Sequence, residues 1–307
     1  MRGLLVVNPN ATTTTERVRD VLVHALSDQL DLEVVVTTRP GHARELGERA
    51  LRERLDVVVT LGGDGTINEA VNGMLVDGPG PDVPALATVP GGSGNVLARS
   101  AGLPKDPVEA TGMIMAGLRE GLIRTISLGL ANDRWFTMSV GMGLDAEIIT
   151  AMESQRAKGH QATSMRYFAT ALREFFIRTD RRNAPITVSR PGEEDITGVY
   201  VVVIQNGAPW TFLGDVAMNP SPEASFDEDL DLFAVRDLRV VSALRWARRI
   251  FMGSRAGSVK GLIVGHDIPE LTVTASRPTA AQVDGESLGE QEVLHVRSVP
   301  RALRIVV

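Results

Sequence analysis

Residues 61–73 read L-G-G-D-G-T-I-N-E-A-V-N-G, directly after the β-branched run Asp56-Val57-Val58-Val59-Thr60. A run of that kind suits a buried parallel strand. Beyond Gly65 the apolar residues Ile67, Ala70 and Val71 recur at helical spacing, with Asn68, Glu69 and Asn72 opposite them. The stretch therefore predicts a strand, a glycine turn and the start of a helix. Such a unit points backbone N–H groups and the positive end of a helix dipole at one spot, which suits an anion. Gly62, Gly63 and Gly65 let a phosphate reach the main chain and make positive φ inexpensive. Asp64 is an unusual neighbour for an anion, and makes sense if a divalent cation lies between its carboxylate and the phosphate. Thr66 adds a hydroxyl at the helix start. Read alone, the segment is better taken as a tight βα turn that merely needs glycine.

The rest of the first third repeats the theme. Strands are predicted at 2–7, 32–37 and 85–89, with helices over about 18–26, capped by Thr13 or Thr14, and 42–54. Alternating strands and helices predict a doubly wound parallel sheet, with ligands at the carboxyl ends of its strands. The strand at 85–89 ends in a second glycine turn, Pro90-Gly91-Gly92-Ser93-Gly94-Asn95, before a short helix through Val96, Leu97 and Ala98. Two glycine turns at strand ends make a phosphate site the better reading, where one would not.

From Ile123 strands follow strands, at 123–128, 135–140, 184–190, 199–205, 230–235, 271–275, 282–284 and 293–297, with helices at 164–179 and 242–254. That pattern predicts an antiparallel sandwich or barrel. The chain thus divides into an α/β domain over 1–123, to which the apolar strand 301–307 returns so that 300–307 belongs with it, and a β-sandwich domain over 124–299 with inserted helices. A length of 307 residues suits two cores. Hydrophobic content of 43% and charge of 23% are those of a soluble globular protein, and a net charge of −6 argues against general nucleic-acid binding. The chain has no cysteine, which excludes disulfides and thiolate metal sites and fits the cytoplasm. No apolar run reaches the roughly 18–20 residues of a membrane span. Any meeting with a membrane is expected to be peripheral. The five histidines show no metal-ligand spacing, so no zinc is expected.

G-G-D-G-T-I-N-E-A-V-N-G at 62–73 together with P-G-G-S-G-N at 90–95 resembles the diacylglycerol kinase catalytic domain, a family that includes sphingosine kinases and bacterial lipid kinases. G-M-G-L-D-A at 141–146, F-D-E-D-L-D-L at 226–232 and V-D-G-E at 283–286 agree in order and spacing. The resemblance implies a two-domain, ATP- and Mg2+-dependent kinase acting on a lipid alcohol at the membrane surface, with nucleotide in the cleft and the lipid hydroxyl presented by the second domain. Carried over by residue, it implies a nucleotide site of Asn8, Pro9, Thr37, Gly62, Gly63, Asp64, Gly65, Thr66, Ile67, Asn68 and Ser93. Asp64 would help hold magnesium and phosphates, and Glu286 would be the general base. Phosphoryl transfer to an alcohol needs charge neutralisation, positioning and a base, so the carboxylates suit the chemistry. Asp145 is a candidate substrate contact. Read without the family, Asp284-Gly285-Glu286 is an acidic hairpin turn.

Two positions depart from the family pattern. Ser127 stands where bacterial members usually carry an Asp of the magnesium–water network, with Asp145 or Asp284 as candidates to compensate. Glu228-Asp229-Leu230 replaces the usual Asp-Gly-Leu of a loop that holds a structural magnesium. There Glu228 and the carbonyls of Ser225 and Leu230 are the matching ligands, and a solvated acidic loop is an equal reading.

On the lipid side, Met165, Phe168, Ala169, Leu172, Phe175 and Phe176 form a stripe read first as core and second as an acyl-chain wall. Pro209-Trp210-Thr211-Phe212-Leu213 reads as an aromatic loop bordering a lipid entrance. Arg245, Arg248, Arg249, Arg255 and Lys260, interleaved with Trp246, Phe251 and Met252, are the candidates for anionic headgroups, against a solvated helix face. Exposed edge strands are compatible with a homodimer. The competing functions are a soluble-substrate kinase such as an NAD kinase, which shares the G-G-D-G-T turn, and a non-catalytic nucleotide- or lipid-binding protein.

Overall fold

A computed structural model describes residues 1–12, 14–157, 183–252 and 259–307. The expected helix at 164–179, with its apolar stripe, lies outside them, as does Arg255. The chain forms two compact units, Met1–Leu128 with Pro300–Val307, and Gly129–Val299. The change of unit falls after Leu128, within the strand Ile123–Ala131 whose first residue stands at the expected boundary of 123.

The first unit contains β1 (Arg2–Val7), α1 (Glu16–Ser27), β2 (Asp31–Val36), α2 (His42–Arg52), β3 (Val57–Gly62), α3 (Asp64–Met74), β4 (Ala85–Pro90), α4 (Val96–Ser100) and α5 (Pro107–Glu120). It also holds most of β5 (Ile123–Ala131) and the final residues of the last strand. β4, β3, β1 and β2 lie side by side, all parallel, and Ile305 pairs with Leu86 on the far side of β4. Alternation along the strands sorts their residues between two faces. Leu5, Val7, Val57, Val59, Ala85 and Ala87 pack under Leu22 and Leu26 of α1 and Ile114 and Leu118 of α5. Helices α2 and α3 pack together, so closely that a Cβ on Gly47 would meet the Ala70 carbonyl oxygen at 2.3 Å and one on Gly73 the Arg44 carbonyl oxygen at 2.0 Å. Thr15, rather than Thr14, caps α1, its hydroxyl accepting from Val18 N–H at 3.2 Å; Thr13, the other expected cap, lies outside the described residues. Helix α5, which the periodicity reading omitted, is capped by Asp106 and starts on Pro107.

The second unit continues with β6 (Arg134–Phe136), β7 (Ser139–Gly143), α6 (Leu144–Ala157), β8 (Ile186–Ser189), β9 (Ile196–Val199), β10 (Val201–Gln205), β11 (Thr211–Leu213), β12 (Val216–Met218), β13 (Leu230–Val235), α7 (Val240–Met252), β14 (Leu262–Ile268), β15 (Glu270–Val283) and β16 (Glu286–Val306). Strands β14, β13, β10, β7, β15 and β16 pair in that order, each antiparallel to the next, and β8 joins β15 and β9. Strand β10 is buried on both faces. Val202 and Ile204 enter the core shared with Phe136, Val188, Leu232, Val273 and Leu294, while Val201 and Val203 meet Leu144, Phe233 and Ile250. The strand expected at 135–140 is two, β6 and β7, because Thr137 and Met138 turn the chain between them. Trp210 is packed against the second of these cores, not held out in an open aromatic loop.

Candidate active site

In the first unit, parallel pairing sets Val7 beside Val36 and Leu61, and Gly62 beside Pro90. Asn8, Thr37, residues 62–68 (the end of β3, Gly63 and the first turn of α3) and Ser93 therefore gather at the carboxyl edge of one sheet. Pro9 is exposed beside Asn8, and Ser93 is exposed in the second turn. Gly62 and Gly63 run against Gly91 and Gly92. A Cβ on Gly91 would lie 2.9 Å from Gly62 Cα, and one on Gly92 only 2.6 Å from Gly63 Cα. The glycines are there because two backbones touch.

The two acids of the first motif both reach beyond their own helix. Asp64 Oδ1 accepts from Val96 N–H at 2.6 Å and more distantly from Leu97 N–H at 3.4 Å. It thus caps α4, the helix opened by the second turn. Burial lowers the Arg99 guanidinium pKa, and the Asp64 charge works against that shift. Glu69 accepts from Gly41 N–H at 2.9 Å and Ala43 N–H at 3.2 Å, capping α2. Asn8 Nδ2 donates to Thr66 Oγ1 at 2.9 Å, and the Thr66 side chain folds back over Gly62. Asn68 and Ile67 are buried, Asn68 receiving the Asn72 amide on both its carbonyl and side-chain oxygens. Thr37 N–H donates to the Val7 carbonyl at 2.8 Å. Asn95 was not among the expected residues, yet it secures the second turn. It stands at φ 49°, accepts from Gly92 N–H at 2.9 Å and donates to the Gly92 carbonyl at 2.7 Å. Asparagine tolerates that left-handed backbone better than most residues, so its place at the end of a glycine turn is itself a sequence signal.

This edge fits a nucleotide phosphate. Side-chain-free turns lie in contact, the first-turn amides of the eleven-residue helix α3 open onto them, and Asp64 stands where they meet. Ser127, the first departure, is buried in β5.

In the second unit, Val283 pairs with Glu286 across Asp284 and Gly285, which have φ of 48° and 81°. This is a two-residue hairpin of the Asp-Gly kind. Asp284 is more than a turn residue. Its Oδ2 accepts from Thr137 N–H at 2.8 Å and Thr137 Oγ1 at 3.0 Å, and its Oδ1 from Met138 N–H at 2.9 Å and Ser139 N–H at 3.0 Å. Gln282 accepts from Gly285 N–H at 2.9 Å and donates to Asp145 Oδ2 at 2.9 Å. Asp145 is 5% exposed, and burial pushes its carboxyl up to about 6 against the pull of Gln282. Asp145 and Asp284, the candidates to compensate for Ser127, are thus both engaged within the second unit. Helix α6 also holds the turn from the other side, Glu153 accepting from Ser287 N–H at 3.0 Å. Glu286, partly exposed, receives Arg134 Nη2 at 2.9 Å. No local pattern marks Arg134 or Gln282, which reach the turn only through strand pairing.

In the acidic loop, residues that the resemblance gives to a cation also have partners within the chain. Glu228 N–H takes the Ser225 carbonyl at 3.2 Å, and the Glu228 carboxylate lies 3.8 Å from His266 Nε2. His266 Nδ1 is 2.8 Å from the buried Asp231, whose hydrogen bond raises the imidazole above its usual range. Among the described residues no cluster of three or more His, Asp or Glu is placed to hold a metal ion; the set that the resemblance implies is of another kind, one carboxylate with main-chain carbonyls.

Residues 2–131 match the diacylglycerol kinase catalytic domain, and residues 138–307 match the YegS C-terminal NAD kinase beta sandwich-like domain. A diacylglycerol kinase of Staphylococcus saprophyticus is 29% identical over 137 residues, 44% of this chain and 43% of that enzyme, so the match spans less than half of its length. A Stenotrophomonas maltophilia protein described as a probable lipid kinase, YegS-like, is 24% identical over 99% of this chain and 95% of its own. The crystal structure of a diacylglycerol kinase from Bacillus anthracis superposes with a TM-score of 0.74, covering 99% of this chain and 96% of that one at 22% identity.

Proposed function

We propose, for a chain that belongs to the diacylglycerol kinase catalytic-domain family and carries its YegS-type C-terminal domain, that it transfers the γ-phosphoryl group of ATP to the hydroxyl of a lipid alcohol of diacylglycerol or sphingoid type. The observation that carries the reading is the pair of touching glycine turns locked together by Asp64. Asn8, Pro9, Thr37, residues 62–68 and Ser93 hold the nucleotide in this reading. Thr66 and Asn68 act through the backbone and through their bonded partners, since their side chains are already engaged. Magnesium, when bound, neutralises phosphate charge, and Asp64 is the residue that would hold it. Glu286 takes the proton of the attacking hydroxyl. Asp284 and Gln282 position it by fixing the hairpin, and Asp145 acts behind Gln282 rather than as an open substrate contact.

The test is incubation of pure protein with labelled ATP, magnesium and a total lipid extract, beside Asp64→Asn. A labelled lipid that depends on Asp64 establishes the activity, and its mass names the lipid. Phosphorylation of NAD and of no lipid would replace it with a soluble-substrate kinase. ATP binding without any turnover would favour a binding protein, with Ser127 the first residue to suspect.

A further inference from the structure

Helix α7 has two unlike faces. Ala243, Trp246 and Ile250 turn inward onto Leu144, Val201, Phe233 and Leu238. Outward, at helical spacing, stand Val241, Leu244, Arg245, Arg248 and Phe251, all exposed. Leu244 is 68% exposed and Val241 61%, more than any other large hydrophobic among the described residues. Single apolar residues on a surface are ordinary, but here they share one helix with Arg245, Arg248 and Arg249 and no acid. The neighbouring hairpin of β11 and β12 adds exposed Val216, and Asn219 N–H donates to the Ile250 carbonyl at 2.7 Å, tying hairpin to helix.

We propose that the outer face of α7 is a docking surface for an anionic lipid bilayer. A solvated helix face would carry mixed charges and few apolar groups. Symmetric pairing with a second copy would set Arg245 and Arg248 against the same cations. A bilayer satisfies both halves of the pattern: Val241, Leu244 and Phe251 enter the boundary between headgroups and acyl chains, while the guanidiniums stay with lipid phosphates. Charge complementarity singles out an anionic surface, because the helix carries three arginines and no acid, against a net charge of −6 for the chain as a whole. The surface stands apart from the kinase reading, since docking needs neither nucleotide nor turnover.

The full-length protein is sedimented with vesicles of phosphatidylcholine alone and with about a third phosphatidylglycerol. Wild type is expected to bind only the second kind, and to be released as salt shortens the reach of its charges. The double variant Leu244→Asp with Arg245→Glu should lose at least about tenfold in vesicle partitioning, with its urea midpoint unchanged because both residues are exposed. Val241→Asn, farther along the same face, should weaken binding independently and guards against a local folding fault. Equal binding to both vesicle types, or variants that bind like wild type, would overturn the proposal. So would a concentration-dependent dimer, formed without lipid, that the same substitutions abolish.

Discussion

Asp64 Oδ1 lies 2.6 Å from the backbone nitrogen of Val96, so the acid of the first glycine turn closes the helix that the second turn opens. The carboxylate placed to meet magnesium and phosphate is therefore also a structural cap. Substitutions that keep or remove the cap separate the two roles.

Asp64→Asn retains an oxygen for the Val96 amide and removes only the charge. Its unfolding free energy should stay within about 0.5 kcal/mol of wild type, while turnover nearly disappears. Asp64→Ala should lose turnover and a further ~1–2 kcal/mol of stability. Urea unfolding beside a rate measurement reads both, and wild-type rates in Asp64→Asn would leave Asp64 as a cap alone.

Gly92→Ala would drive a Cβ to 2.6 Å from Gly63 Cα, where only backbone is available to move. Separation of the turns should destabilise the first unit by more than about 2 kcal/mol and weaken ATP binding at least tenfold. Calorimetric titration with ATP checks it. Unaltered affinity would show that contact between the turns is not needed for the nucleotide.

Asp284→Ala would strip a bonded acceptor from the amides of Thr137, Met138 and Ser139, all buried residues. The expected cost is on the order of 3–5 kcal/mol, with turnover lost as the hairpin loosens. Glu286→Gln should instead leave stability near wild type and lower turnover with little change in ATP affinity. If Glu286→Gln abolished folding or ATP binding, the residue would be structural.

Asp145, pushed up to about 6 by burial, should make stability depend on pH. Between the ordinary carboxylate value near 4 and about 6, the folded state binds the proton more tightly than the unfolded chain. Stability should therefore fall as pH rises through that window, by roughly 3 kcal/mol in total, and then level off. Asp145→Asn keeps an acceptor for Gln282 and should flatten the profile, raising the urea midpoint at pH 7.5 more than at pH 4.5. An unchanged profile would place the titration elsewhere.

Local chemistry already determined most of the first unit, α5 apart. Periodicity of two and of 3.6, broken by glycine, identifies β3, α3, β4 and α4 within a residue or two, because those patterns depend only on neighbours along the chain. The glycines at 91 and 92 likewise announced a turn that needs space. The second unit was less legible. β15 and β16 read as fragments, since their exposed middles break the apolar alternation, and α6 was missed because Leu144, Ala146, Ile148 and Met152 follow a strand of similar texture. Only the tertiary structure decided what the acids do. Asp64 and Val96, Asp284 and Thr137, and Glu286 and Arg134 are distant in sequence and become hydrogen-bond partners through pairing of strands and packing of turns. The same packing sets His266 beside Asp231 and Glu228, partners that the sequence of the acidic loop does not announce. A sequence states which groups are available; burial and partner, which set the charge and task of each carboxylate, exist only once the chain has folded.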